Sequence, residues 1–176
     1  PSPGFYIDIG AHDPVRYSNT MLFYLMGWRG IVIDPLPGFS EKFRRLRPRD
    51  IAVEVGVSSS AGSVEYFVFD DAAFSTFDAE RAADLVRSGR TKIVRNEIAP
   101  LRTLADICQE HLEDNQTIDF MSVDVEGRDL DVLNSNDWSS FRPRFLLAEC
   151  DVATLGGCEQ SHMVTLLKKL GYEPVA

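Results

Sequence analysis

The stretch Phe5-Tyr-Ile-Asp-Ile-Gly-Ala-His-Asp-Pro14 decides the fold. A short apolar run, broken only by Asp8, ends at Gly10, and such a run closed by glycine reads as a buried strand. Working outward, residues 18–26 read as a helix with Ser18 or Asn19 as N-cap and Gly27 at its C-terminal stop. Gly30-Ile-Val-Ile-Asp34 is a second buried strand, closed by Pro35. Residues 39–46 form a helix that ends before Pro48, and residues 51–57 read as a third strand. Residues 63–69 alternate apolar and polar, the pattern of a strand with one solvated face. A surface helix over 79–87 and a strand over 92–98 follow. Further on come a helix over 103–112 capped by Thr103, a strand over 118–123, a short helix from 130 to just past 133, a strand over 144–149, a helix over 160–170 ended by Gly171, and a last strand from 172 to 176.

Strands that alternate with helices pair in parallel, so the pattern predicts an α/β, Rossmann-like, doubly wound, mostly parallel sheet. The irregular middle reads as a small inserted β/α segment over one edge. With 176 residues and 44% apolar content, the chain fits one domain with its own core. It begins Pro1-Ser2-Pro3 without a methionine, as expected of a piece of a longer protein. The formal net charge of −9 argues against nucleic acid or an anionic membrane as partner, since phosphates would be repelled. Arg44, Arg45, Arg47 and Arg49 are the local exception, and a solvated helix end explains them better than a phosphate patch. No apolar run approaches the roughly 20 residues of a membrane span. Cys108, Cys150 and Cys158 show no C-x-x-C spacing, which favours reduced, mostly buried thiols and a cytoplasmic setting. A Cys150–Cys158 disulfide is the less favoured alternative.

In an open α/β sheet, ligands bind beyond the carboxyl ends of the strands. Acids gather at those ends: Asp8 just before Gly10, Asp34 after the second strand, Asp124 and Glu126 after the strand over 118–123. A dinucleotide site needs several glycines so that backbone amides can pack on a pyrophosphate. Here one glycine stands among acids that would repel it. S-adenosylmethionine has no phosphate, and its ammonium, carboxylate and ribose diol suit these side chains. Asp8 can hold the ammonium end, directly or through water. Gly10 and Ala11 let the backbone come close. Asp34 can accept from both ribose hydroxyls, and Ser18 and Asn19, at a helix N-terminus, can donate to the carboxylate. Each has a plainer alternative: Asp8 caps a turn, Asp34 starts one, Ser18 is only an N-cap, and His12 is a turn residue rather than a base. Asp124 or Glu126 can take a proton from an acceptor hydroxyl or hold a divalent cation, with Glu149 able to join them. The alternatives are that Glu126 caps a helix and Glu149 pairs with an arginine. No His/Cys cluster has zinc spacing, so no metal ligands are assigned. Phe69, Phe74, Ser75, Thr76 and Phe77 could line a pocket, although ordinary packing under the insertion is the favoured reading.

These motifs, together with Ser18-Asn-Thr20, Gly27-Trp-Arg-Gly-Ile-Val-Ile-Asp-Pro35, Ile118-Asp-Phe-Met-Ser-Val-Asp-Val-Glu-Gly127 and Arg142-Pro-Arg-Phe-Leu-Leu-Ala-Glu149, resemble the FkbM-type methyltransferases in order along the chain. The resemblance implies a class I methyltransferase fold, S-adenosylmethionine as cofactor, and O-methylation of a hydroxyl on a small molecule or carbohydrate. It places the cofactor turn at Asp8 to His12, the ribose acid at Asp34 and the D-x-E-G acids at Asp124 and Glu126. The chain departs from the family where many members carry an asparagine and a further glycine. Here His12-Asp13-Pro14 stiffens the turn and removes an amide donor. The competing readings are a nicotinamide-dependent oxidoreductase and a non-catalytic interaction module on the same fold. The single glycine counts against the first, and Asp8, Gly10, Asp34, Asp124 and Glu126 kept together count against the second.

Overall fold

Burial on both faces puts β1 (Phe5–Ile9) at the centre of the molecule. The computed structural model describes residues 3–125, 127–149 and 161–175. On one side of β1 lie β2 (Arg29–Ile33) and then β3 (Ile51–Val53). On the other lie β7 (Phe120–Val123) and β8 (Phe145–Ala148). The order of this five-stranded sheet is β3-β2-β1-β7-β8, and every pair is parallel. The chain builds outward from β1 to β3 and later returns to β7. The switch point therefore falls between β1 and β7, where open α/β sheets bind ligands.

Successive side chains of β1 point to opposite faces. Ile7 and Ile9 pack with Leu104 and Ile107 of α4 (Leu104–His111), Val132 and Leu133 of α5 (Asp129–Asn134) and Met163 of α6 (His162–Lys169). Tyr6 packs on the other face with Phe39 and Phe43 of α2 (Phe39–Leu46) and Phe23 of α1 (Met21–Leu25). Each fully buried side chain of this kind stabilises by roughly 1.5–3 kcal/mol. Helices on both faces give the doubly wound, Rossmann-like α/β fold that the alternation predicts.

The inserted segment is a second sheet of order β4-β6-β5, made of β4 (Gly56–Val57), β5 (Gly62–Phe69) and β6 (Ile93–Arg102). β5 and β6 are antiparallel, with α3 (Ala79–Arg87) in the excursion between them. The segment hangs on the β3 edge of the main sheet, because β3 runs on through Glu54 and Val55 into β4.

Several boundaries differ from the sequence reading for identifiable reasons. The strand expected over 51–57 divides in two. Glu54 turns out of line to accept hydrogen bonds from Gly38 N (3.1 Å) and Ser40 N (3.0 Å), serving the start of α2, whose own N-cap is a glycine. The helix expected over 18–26 shrinks to α1, with Thr20 and not Ser18 or Asn19 at its N-cap. The hydroxyls of Ser18 and Thr20 are engaged elsewhere. The strand expected over 92–98 extends to Arg102. Residues 172–175 form no strand. Instead the Tyr172 hydroxyl donates to Pro143 O (2.6 Å) and its ring meets Trp138 edge-on.

Arg47 is the largest correction. It is no solvated helix end, being wholly buried while Arg44 and Arg45 stay exposed. Cys108 is a free, buried thiol, pushed up to about 12 by burial, as a structural cysteine should be. Cys150 and Cys158 lie outside the described residues. Among the described residues, no helix is long and apolar enough to cross a membrane.

Candidate active site

The candidate site starts from a backbone constraint. Gly10 has φ +79°, and a Cβ there would lie 1.8 Å from the carbonyl oxygen of Asp124. The two strand ends meet only because residue 10 has no side chain. Gly10 N and Ala11 N both donate to Ile33 O (2.9 and 3.2 Å), and Asp124 N donates to Ile9 O (3.0 Å). The ends of β2, β1 and β7 are thereby held side by side.

Asp34 follows β2 and is 7% exposed. Its Oδ1 accepts from Leu36 N and its Oδ2 from His12 N, both at 2.9 Å. His12 reaches it from a left-handed backbone, φ +48°. The turn-forming role and a place at the crevice therefore coexist in one side chain. Burial raises the Asp34 carboxyl above its ordinary value, against the pull of the two amides.

Gly10, His12, Asp34 and Asp124 share one cavity of about 270 Å³, close to the lower end of the ~300–1,000 Å³ typical of small-molecule sites. Its other walls come from Tyr17 and from Tyr66, Ser75, Thr76 and Phe77 of the inserted segment. This corrects the packing reading of Ser75, Thr76 and Phe77, which face the same space as the strand-end acids. Phe69 is packed away, at 2% exposure, and Phe74 carries the guanidinium of Arg90. No lysine or arginine lines the cavity among the described residues. A larger groove, about 1290 Å³, opens at the amino ends of β1 and β7, the end of the sheet where this class of fold does not place its ligands.

Asp8, Ser18 and Asn19 do not line the cavity, and neither does the side chain of Ala11. Asp8 and the half-buried Ser18 belong instead to a polar network centred on the buried Arg47, while Asn19 is exposed. Arg47 donates to Asp50 (2.7 Å), the Tyr6 hydroxyl (2.7 Å), the Thr20 hydroxyl (2.9 Å), the Ser18 hydroxyl (3.0 Å) and Pro14 O (3.3 Å). The Thr20 hydroxyl in turn donates a hydrogen bond to Asp8 (2.6 Å), and the Tyr6 hydroxyl donates one to Asp50 (2.7 Å). The Asn19 amide donates to Ser122 of β7 (3.0 Å). Arginine at 47 and the hydroxyls at 18 and 20 are thus what fix the loop after Gly10. The place of Arg47 four residues after Phe43 and eight after Phe39, the buried side chains of α2, is the signal in the sequence that sets it apart from Arg44 and Arg45.

Burial pushes Asp8 up to about 6 from 3.8, with Thr20 and Arg47 opposing the rise and Asp124 and Asp50 adding to it. Between those two values the folded protein keeps a proton that the unfolded chain has lost. Stability from this group therefore falls as pH rises through the window and stays low above it. A shift of this size corresponds to about 3 kcal/mol. The expected result is that Asp8→Asn narrows the difference in urea-unfolding free energy between about pH 4.5 and about pH 7.5. A difference as wide as in the parent protein would mean that Asp8 ionises in the folded state at little cost.

Asp129 was not foreseen. It opens α5, is 5% exposed, and its Oδ1 has no hydrogen-bond partner. Burial pushes it up to about 6, and the nearby Asp124 adds to the rise. Asp124 itself is exposed at the cavity rim, and Glu149 is exposed after β8. Glu126 lies outside the described residues. Among the described residues, no three His, Cys, Asp or Glu side chains gather closely enough to hold a metal ion.

The sequence model of the Methyltransferase FkbM domain matches residues 8–174. The chain belongs to the FkbM methyltransferase family. The match takes in Asp8, Gly10, Asp34 and Asp124, so the cavity of this FkbM domain lies within the matched region. No curated protein and no solved structure matches the chain. For an FkbM domain, S-adenosylmethionine is the typical cofactor. Asp34 offers what a nucleoside would require: a buried carboxylate with one backbone amide on each oxygen, leaving lone pairs free for a vicinal diol. The absence of a cationic lining among the described residues fits a ligand without phosphate.

Proposed function

We propose that this FkbM domain is an S-adenosylmethionine-dependent O-methyltransferase that acts on a hydroxyl of a small molecule or sugar. The observation that carries the proposal is Asp34, a carboxylate fixed by two amides in the wall of a cavity at the switch point. It would accept from the ribose hydroxyls. Gly10 and His12 would contact the cofactor through the backbone beside it. The hydrogen bonds of Asp8, Ser18 and Asn19 favour a supporting role, in which they hold the loop that frames the ligand rather than touching it.

The cofactor supplies a methyl group already activated by the charge on sulfur. The chain's own work is then alignment and proton removal. Asp124 faces the cavity across Gly10 from Asp34. It can take the proton of an acceptor hydroxyl as that oxygen takes the methyl group, and Glu126 is the second candidate for that base. An acceptor bearing phosphate or carboxylate would meet these acids with no lysine or arginine among the described lining residues to pair with, which favours a neutral hydroxyl compound.

Asp34→Ala tests the central contact. Removing hydrogen bonds to a charged group costs roughly 1–3 kcal/mol, so S-adenosylhomocysteine affinity should fall by about 5- to 150-fold. Affinity within twofold of the parent protein, measured by calorimetry on a folded variant, would remove Asp34 from the site.

A further inference from the structure

The outward side of α1 is unlike that of a solvated helix. Leu22, Leu25 and Met26 stand there at helical spacing and are 67%, 69% and 64% exposed. Phe23 and Tyr24 hold the helix inward. α2 packs on the same face of the sheet through Phe39 and Phe43, so the outward sides of the two helices look the same way. Their C-terminal ends are tied together by Arg49, which donates to Tyr24 O and lies 3.8 Å from the centroid of that ring. The last turn of α2 adds Leu46, 44% exposed, and the exposed Arg44 and Arg45.

Neither Arg44 nor Arg45 makes an ion pair among the described residues. Of the acids near them in sequence, Glu41 lies about one turn back in the helix, Asp50 is taken by Arg47, and Glu54 serves the amides of Gly38 and Ser40. Cations in a last turn complement the helix dipole. That does not account for large apolar side chains exposed beside them, and a contiguous patch of this kind marks an interaction surface. The net charge of −9 does not bar an anionic partner here. Asp8, Asp34 and Asp124 lie toward the carboxyl ends of the strands, and the helices run back against those strands, so this face lies at the opposite end of the sheet. Charges separated by more than about 8 Å are largely screened at physiological salt.

We propose that the joined C-terminal ends of α1 and α2 dock the protein on an anionic lipid surface. Leu22, Leu25, Met26 and Leu46 enter the headgroup boundary, and Arg44, Arg45 and Arg49 meet the lipid phosphates. These side chains stand out from helices rather than line a groove, which suits a deformable lipid surface better than the pocket of a protein partner. The cavity, at the other end of the sheet, stays open to solvent. The inference is independent of the S-adenosylmethionine reading.

The test is co-sedimentation of the whole chain with vesicles of phosphatidylcholine alone and of phosphatidylcholine mixed with phosphatidylglycerol. Binding should need the anionic lipid and fall as salt rises. Arg44→Gln combined with Arg45→Gln should lower the partition coefficient about 10- to 30-fold, since each cation near the surface contributes roughly fivefold. Leu22→Ser combined with Leu25→Ser should lower it by about tenfold or more. All four positions are exposed, so melting temperatures should stay near that of the parent protein. If the leucine pair does misfold, the arginine pair decides alone. No binding to the mixed vesicles, equal binding to both kinds, or an arginine variant within twofold of the parent protein would overturn the proposal. So would a dimer in ultracentrifugation that the leucine variant abolishes, which would give this face to a second copy of the chain.

Discussion

Gly10→Ala is expected to remove most of the native stability, on the order of 4 kcal/mol or more. Two effects add. The left-handed backbone at φ +79° costs an L-residue with a Cβ roughly 1–2 kcal/mol. The larger effect is the contact. The new methyl would sit 1.8 Å from Asp124 O and 2.8 Å from Asp124 C, both backbone atoms, so no rotamer change can relieve it. β1 and β7 would have to part, breaking the bond from Asp124 N to Ile9 O and disturbing the register of Asp8 against Ser122. Urea unfolding measures the outcome. A variant within about 1 kcal/mol of the parent protein would mean that the strand ends are not in contact, and the candidate site would lose its frame.

Arg47→Met is expected to cost about 3–5 kcal/mol, the range for breaking a buried ion pair from one side. The methionine fills much of the space but removes the cation and donor at Asp50 Oδ2 and the donor to the hydroxyls of Tyr6 and Thr20, leaving Asp50 only its bonds from Tyr6 and Gly30 N. It also forfeits the guanidinium packed 5.0 Å from the Tyr24 ring centroid and 5.1 Å from that of Phe43. Arg47→Lys should recover little, because one ammonium cannot serve acceptors spread over Pro14, Ser18, Thr20, Tyr6 and Asp50. The paired measurement is unfolding free energy together with proteolysis of the 14–20 loop under native conditions. A loss under about 1 kcal/mol with an unchanged cleavage pattern would show that the loop is held by other contacts.

The main sheet was legible because its signals are local. Apolar runs closed by Gly10 and Asp34-Pro35 mark β1 and β2, and the helices over 39–46, ended before Pro48, and 79–87 fall where periodicity places them. The convergence of Gly10, Asp34 and Asp124 followed from the topology of such a sheet. What escaped depends on contacts distant in sequence. Arg47 follows Phe39 and Phe43 at helical spacing, but only the folded chain shows that it lies under the loop after Gly10. The break between β3 and β4 is set by Glu54 reaching the start of α2, a tertiary demand with no local signature. Tyr66 alternates normally along β5, so nothing in its strand distinguishes a cavity wall from packing. Ser18, Asn19 and Asp8 read as polar groups near the cofactor turn, and nothing local in the sequence shows the hydrogen bonds they make with Arg47, Ser122 and Thr20. A side chain's partners are a property of the packed molecule.

The most direct test of the account is calorimetric titration of the folded chain with S-adenosylhomocysteine near neutral pH. The account predicts saturable one-to-one binding in the micromolar range, weakened by Asp34→Ala. A folded chain that gives neither heat nor a thermal shift with this ligand would contradict it.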